Sequence, residues 1–116
     1  LRAKDLCACA VTGSGKTAAF FIPILERLFR RPKICKALSS VLILVPTREL
    51  AVQSYNFGKY FLPFAPTTIN IALVAGGLSI ESQKNELLSK PEIIVATPGR
   101  LIYHMERNNL SLDNIE

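Results

Sequence analysis

Ala10-Val11-Thr12-Gly13-Ser14-Gly15-Lys16-Thr17 stands between the apolar run Leu6-Cys7-Ala8-Cys9-Ala10 and the helix-forming run Ala18-Ala19-Phe20-Phe21-Ile22. A strand, a glycine turn and a helix start in that order make a concave nest of backbone N–H groups. Gly13 and Gly15 let the chain turn tightly, and a helix starting near Lys16 adds the positive end of its dipole. A polyphosphate fits such a nest. Lys16 would meet the β- and γ-phosphates of a nucleotide as a point charge, and the Thr17 hydroxyl would take one place around Mg²⁺. Ala10 stands where the general pattern has glycine. The bland alternative, a Gly-Ser turn that happens to precede Lys-Thr, explains neither the strand before it nor the helix after it.

Working outward, short continuous apolar runs alternate with amphipathic ones. Residues 6–10, 41–45, 69–74 and 93–96 are of strand length and rich in β-branched or small residues, as in strands buried on both faces. Between them lie helical patterns. Ala18, Ile22, Leu25 and Phe29 share one face of the first, widened by Phe21 and Leu28. Leu50, Phe57 and Phe61 mark the second, Leu87 and Leu88 anchor a weaker one over 79–89, and Leu101, Ile102 and Met105 mark the last. Pro23 removes a hydrogen bond to Ala19 and predicts a kink. Strand then helix, repeated about four times, predicts an α/β fold with a parallel sheet and helices on both faces.

The chain has 116 residues, is 49% hydrophobic and carries a net charge of +5. That composition suits a packed core, and the charge favours a polyanionic partner without excluding a merely solvated basic surface. Three cysteines at Cys7, Cys9 and Cys35 fit neither a disulfide framework nor a zinc site, which points to a reducing, intracellular setting. Cys7 and Cys9 are expected to fill a buried strand rather than to do redox chemistry. Ala18 to Leu25 is broken by Pro23 and is shorter than a membrane span, so no membrane partner is expected. Leu1 is not an initiator methionine, and the chain is expected to be a fragment.

In a parallel sheet every strand-to-helix turn emerges at the same carboxyl edge. Pro46-Thr47-Arg48-Glu49-Leu50-Ala51 offers Thr47 as a helix N-cap, with Glu49 in the first turn where a carboxylate suits the dipole. Thr97-Pro98-Gly99-Arg100 repeats the design, with Thr97 as cap and Pro98 at the first helical position. Each turn alone reads equally well as a capped helix start. Two such turns, each with an arginine, beside a phosphate loop in a basic chain, favour a second polyanion along that edge.

These segments together resemble the first RecA-like lobe of a DEAD-box RNA helicase. Residues 10–17 are similar to the family's first motif, alanine at its start included; residues 46–51 match its motif Ia, Gly76-Gly77 its glycine pair, and residues 97–100 its motif Ib, in the family's order and spacing. The resemblance runs from about Asp5 to the C-terminus. It implies an ATP-dependent RNA helicase that couples ATP hydrolysis to remodelling of RNA duplexes or RNA–protein complexes. By that resemblance Ala10, Thr12, Gly13, Ser14, Gly15, Lys16 and Thr17 would hold ATP. Lys16 and Thr17 would serve the reaction, and Thr17 would bind Mg²⁺ together with a carboxylate outside residues 1–116. Pro46, Thr47, Arg48, Gly76, Gly77, Thr97, Pro98, Gly99 and Arg100 would hold RNA, single-stranded or duplex.

By the same resemblance, residues 1–116 are part of that lobe. An adenine-reading segment would lie before Leu1, an Asp-Glu-Ala-Asp motif soon after Glu116, and a second RecA-like lobe with its arginine finger beyond that, in a monomer. The piece alone is expected to bind without turning over. Within the family, residues 7–20 are similar to nucleolar members that act in large ribosomal subunit assembly. A competing reading is a non-catalytic nucleotide- or RNA-binding module; a GTPase would need an Asn-Lys-x-Asp motif, which the sequence lacks.

The remaining candidates have plainer readings. Arg27, Arg30, Arg31, Lys33 and Lys36 fall at the C-terminal end of the first helix, where cations complement the dipole, at the edge opposite the phosphate loop. Phe57 and Phe61 are expected in the core with Tyr55 and Tyr60 at its margin, and no stacking aromatic is expected at the RNA-facing turns. His104 is expected at the surface.

Overall fold

The structure, a computed structural model, describes residues 5–31 and 39–115. Cys35, Lys33 and Lys36 lie outside them. Helix α1 (Lys16–Phe29) follows the glycine turn, and then β1 (Val41–Leu44), α2 (Arg48–Phe61), β2 (Ile71–Val74), α3 (Ile80–Leu88), β3 (Ile93–Ala96) and α4 (Pro98–Glu106) alternate. The sheet is parallel in the order β1-β3-β2. β3 is therefore central, and all four of its side chains are wholly buried, as its unbroken apolar run requires.

Successive strand residues point to opposite faces, and this splits the core in two. Ile43, Ile71, Ile93 and Val95 pack with Phe21, Leu25 and Leu28 of α1 and Ala51 of α2. Ala72, Val74, Ile94 and Ala96 pack with Leu87 of α3 and Leu101 of α4. Helices thus cover both faces, as the sequence predicts. α1 continues as one helix through Pro23.

Three expectations fail, each for a physical reason. The run 6–10 forms no strand: it is exposed throughout, Leu6 to 89%, and Cys7 and Cys9 are exposed with it rather than filling a core. Apolar character gives a segment the capacity to be buried, but a strand also needs a ladder partner, and residues 6–10 pair with neither outer edge of the β1-β3-β2 sheet. The buried face of α2 is Ala51, Ser54 and Gly58; Leu50 and Phe61 are exposed, while Phe57 packs half-buried on the core as expected, its ring centroid 5.5 Å from that of Phe21. This helix lies so close to its neighbours that a Cβ on Gly58 would stand 2.7 Å from both Ile71 Cδ1 and Phe21 Cζ. Large side chains are excluded from that contact. In α3 and α4 the apolar anchors are Leu87 and Leu101 alone. Leu88 and Ile102 are exposed, and the polar Gln83 and His104 take the remaining buried positions.

Candidate nucleotide and RNA site

The glycine turn enters α1 with Gly13 at φ 78° and Gly15 at φ 83°, both in the left-handed region that glycine tolerates. Gly15 is the N-cap and supplies no side-chain cap, so the first N–H groups of α1 are left for a ligand. Ala10, Thr12, Gly13, Ser14, Gly15 and Lys16 are exposed, and Thr17 is half-buried at the base of the turn. Lys16 Nζ donates to the carbonyls of Ala10 and Val11 at 2.6 Å each. The ammonium therefore closes the loop on itself, and a phosphate would take over donors that now serve these two carbonyls.

α1 carries the chain from this loop to the amino edge of the sheet. Its C-terminal end lies at the amino edge, because Arg31 Nη1 donates to Ser40 Oγ, one residue before β1, at 2.9 Å. A helix of 14 residues spans about 21 Å at 1.5 Å per residue, which sets Lys16 well away from that end. The basic residues at the end of α1 are thus remote from the loop, and Arg30 is paired with Glu26.

At the carboxyl edge, register brings three turns together. Leu44 and Val74 both pair with Ala96, and the ladder extends by Val45 N–H to the Ala96 carbonyl and Thr97 N–H to the Val74 carbonyl, each 3.0 Å. Thr97 stands between Val45-Pro46-Thr47 on one side and Ala75-Gly76-Gly77 on the other, at strand spacings of about 4.8 Å. Thr47 caps α2, its Oγ1 accepting from Leu50 N–H at 3.3 Å. Thr97 is the N-cap of α4, but its hydroxyl makes no capping bond, which corrects half of the expectation and leaves that hydroxyl uncommitted to the helix. Pro98 occupies the first turn, as expected.

The two arginines differ. Arg48 is exposed and its guanidinium lies against Gly77, where a Cβ would be 2.5 Å from Nη1. Arg100 is half-buried, and its Nη1 is buried without a hydrogen-bond partner among the described residues. An open hollow of about 430 Å³ beside it is lined by Gly76, Ile80, Thr97, Gly99, Arg100 and Tyr103. Tyr103 places an aromatic ring at these turns, contrary to the sequence reading. The Arg107 guanidinium sits 4.3 Å from that ring's centroid and Arg100 lies 5.6 Å from it, so the ring already serves as a guanidinium platform.

His104, expected at the surface, is fully buried behind this hollow and hydrogen-bonded to Gln83. Burial first, and the Arg100 charge second, hold its pKa below the ordinary histidine value. The available signal was the spacing of His104 three residues after Leu101 and of Gln83 four before Leu87, which puts both polar groups on the buried stripes.

Comparison with known proteins agrees with this geometry. A family model described as DEAD/DEAH box helicase matches residues 1–116. The chain is 53% identical over 120 residues to ATP-dependent RNA helicase DRS1 of Mycosarcoma maydis, covering 100% of this chain and 13% of that protein. It is 54% identical over 113 residues to DEAD-box ATP-dependent RNA helicase 28 of Arabidopsis thaliana, covering 97% and 14%. The crystal structure of the RNA helicase Prp28 from Chaetomium thermophilum, bound to ADP, superposes with a TM-score of 0.78 at 40% identity over 98% of this chain and 28% of that one. The chain therefore spans about one seventh of these curated relatives. No helix among the described residues is long and apolar enough to cross a membrane. Parallel sheet, phosphate loop and ordered turns place the RecA-like lobe of its relatives in this sequence, and the chain belongs to the DEAD-box helicases of the DEAD/DEAH box family.

Proposed function

We propose that this chain supplies the ATP loop and the RNA-facing edge of an ATP-dependent RNA helicase, acting as part of a longer protein with a second RecA-like lobe. The observation that supports the reading is the register that sets the three strand-to-helix turns side by side at the carboxyl edge of the sheet.

On ATP binding, Gly13, Ser14 and Gly15 would turn backbone N–H groups to the β-phosphate. Lys16 would exchange the Ala10 and Val11 carbonyls for phosphate oxygens, which carry full negative charge and attract the ammonium more strongly. Ala10 and Thr12 shape the rim. The Thr17 hydroxyl is a hard oxygen donor of the kind Mg²⁺ takes, and no group of three His, Cys, Asp or Glu side chains gathers among the described residues. Thr17 would hold one position, with phosphate oxygens and a carboxylate outside residues 1–116 at others. The ion, when bound, would neutralise charge on the transferring phosphoryl group.

On the neighbouring turns, Thr47, Arg48, the Gly76-Gly77 amides, Thr97, Gly99 and Arg100 would hold phosphate and ribose oxygens of one RNA strand, with Pro46 and Pro98 fixing the backbone. The buried, unpartnered Arg100 Nη1 supports this, since it awaits an acceptor. The protein would work as a monomer, and residues 7–20 support an intracellular, nucleolar setting in ribosome assembly by their resemblance alone.

The decisive experiment replaces Lys16 by alanine in the full-length protein. RNA-stimulated phosphate release should fall by at least about a hundredfold, the scale of losing one preorganised electrostatic contact to the transition state. RNA binding without nucleotide should persist. Wild-type turnover in this variant would refute the assignment.

A further inference from the structure

Four polar groups form one chain of hydrogen bonds between the two turns that flank the 430 Å³ hollow. Gln83 Nε2 donates to the Ala75 carbonyl at 2.9 Å. Its Oε1 must then be the acceptor toward His104 Nε2 at 3.2 Å, which obliges that nitrogen to carry the proton. Nδ1 is left bare and accepts from Asn109 Nδ2 at 3.3 Å. Reversing the Gln83 amide would oppose two carbonyl oxygens and two N–H groups, so every member fixes its neighbour.

The position of this chain gives it a purpose. Gln83 is 2% exposed and His104 0%, in a face of the core otherwise filled by Leu87, Leu101 and small strand residues. Apolar side chains would fill that space at less desolvation cost if filling were all that was needed. What the polar pair adds is direction. Ala75 is the residue before Gly76-Gly77, and His104 lies on α4 one turn beyond Arg100.

We propose that Gln83 and His104 are positioning residues, a strut that fixes the Gly76-Gly77 turn relative to the first turn of α4 so that both grip one RNA strand together. The strut rests on the RNA reading given above. It predicts that breaking it weakens RNA without touching the nucleotide loop.

The test uses the full-length protein and a single-stranded RNA oligonucleotide. Gln83→Met keeps nearly the same volume without hydrogen bonds, and His104→Leu does the same on the other side. Each should raise the KM for RNA about tenfold, the scale of one buried hydrogen bond, with the KM for ATP and kcat at saturating RNA within about twofold of the parent. His104→Gln, which can carry an N–H near the Nε2 position, should restore RNA KM to within about threefold, and His104→Asn, too short to reach Gln83, should not. Should Gln83→Met fail to fold, His104→Leu and its contrast with His104→Gln carry the test. Leucine performing as well as glutamine at 104 would show a packing role and overturn the proposal. An unmoved RNA KM in these variants, while Arg48→Ala and Arg100→Ala raise it, would remove the strut and leave the RNA reading standing. An RNA KM insensitive to all of them would overturn both.

Discussion

Gly77→Ala should act on RNA through Arg48. Gly77 sits at φ +75°, where a side chain costs about 1–2 kcal/mol because Cβ crowds the following carbonyl. Its new Cβ would also stand 2.5 Å from Arg48 Nη1 and 3.4 Å from Cζ, inside contact distance. Arg48 is exposed and flexible at that end, so the guanidinium moves and the fold bears only the backbone cost, visible as a modest fall in denaturation midpoint. The displaced guanidinium no longer faces the turn edge. A charge-assisted hydrogen bond contributes about 1.5–3 kcal/mol, or roughly ten- to a hundredfold in affinity. Arg48→Ala should therefore weaken RNA binding by about that factor, and Gly77→Ala by about tenfold. The informative measurement is the double-mutant cycle, with RNA affinity read by fluorescence anisotropy at fixed salt and a non-hydrolysable ATP analogue present. In the Arg48→Ala background, adding Gly77→Ala should cost less than about threefold, because the group it displaces is already gone. Equal losses in both backgrounds would show that Gly77→Ala acts through the turn's own amides and not through Arg48, and would refute the coupling.

Other outcomes follow from the same contacts. Gly58→Ala gains about 1 kcal/mol of helix propensity but drives Cβ to 2.7 Å from Ile71 Cδ1 and from Phe21 Cζ, and Phe21 is 0% exposed, so overpacking of about 1–3 kcal/mol should leave the variant less stable in urea unfolding; a variant more stable than the parent would show that Phe21 can turn aside. His104 has a folded pKa below its unfolded value of about 6.5, so the unfolded chain binds more protons just under that pH. Its contribution to stability is complete above pH 6.5 and is lost as pH falls through the lowered folded pKa; His104→Gln should remove that part of the slope in denaturation midpoints, and an unchanged slope would assign it to other groups. Arg48→Ala and Arg100→Ala should each flatten the dependence of log K for single-stranded RNA on log salt by about 0.7, equally for unrelated sequences, since phosphate contacts carry no base information; a loss confined to one sequence would count against backbone binding.

What the sequence made legible, and what it did not, divides along one physical line. Strand β3 is read to the residue at 93–96 because burial on both faces demands an unbroken apolar run, and Thr47 is read as a cap because capping is settled within four residues. The errors concern partners far away in the chain. Residues 6–10 have the apolar character of a strand but pair with none of the described strands. The face of α2 was sought in its large side chains, yet where a helix presses on Phe21 and Ile71 the buried positions go to Ala51, Ser54 and Gly58.

His104 and Gln83 are the sharpest case. Each alone is a polar residue on a helix, and polar residues on helices belong in water. Only when β2 and β3 place α3 and α4 on one face do the two become each other's solvent, 3.2 Å apart, and burial turns from a penalty into a constraint on geometry. The same asymmetry governs the candidate site. The phosphate loop is local and was read from eight consecutive residues, whereas the RNA edge exists because Leu44 and Val74 both pair with Ala96. A one-residue slip of either strand would leave every motif intact in sequence and carry its turn out of line with the others, which is why register, more than any single motif, sets what this edge can hold.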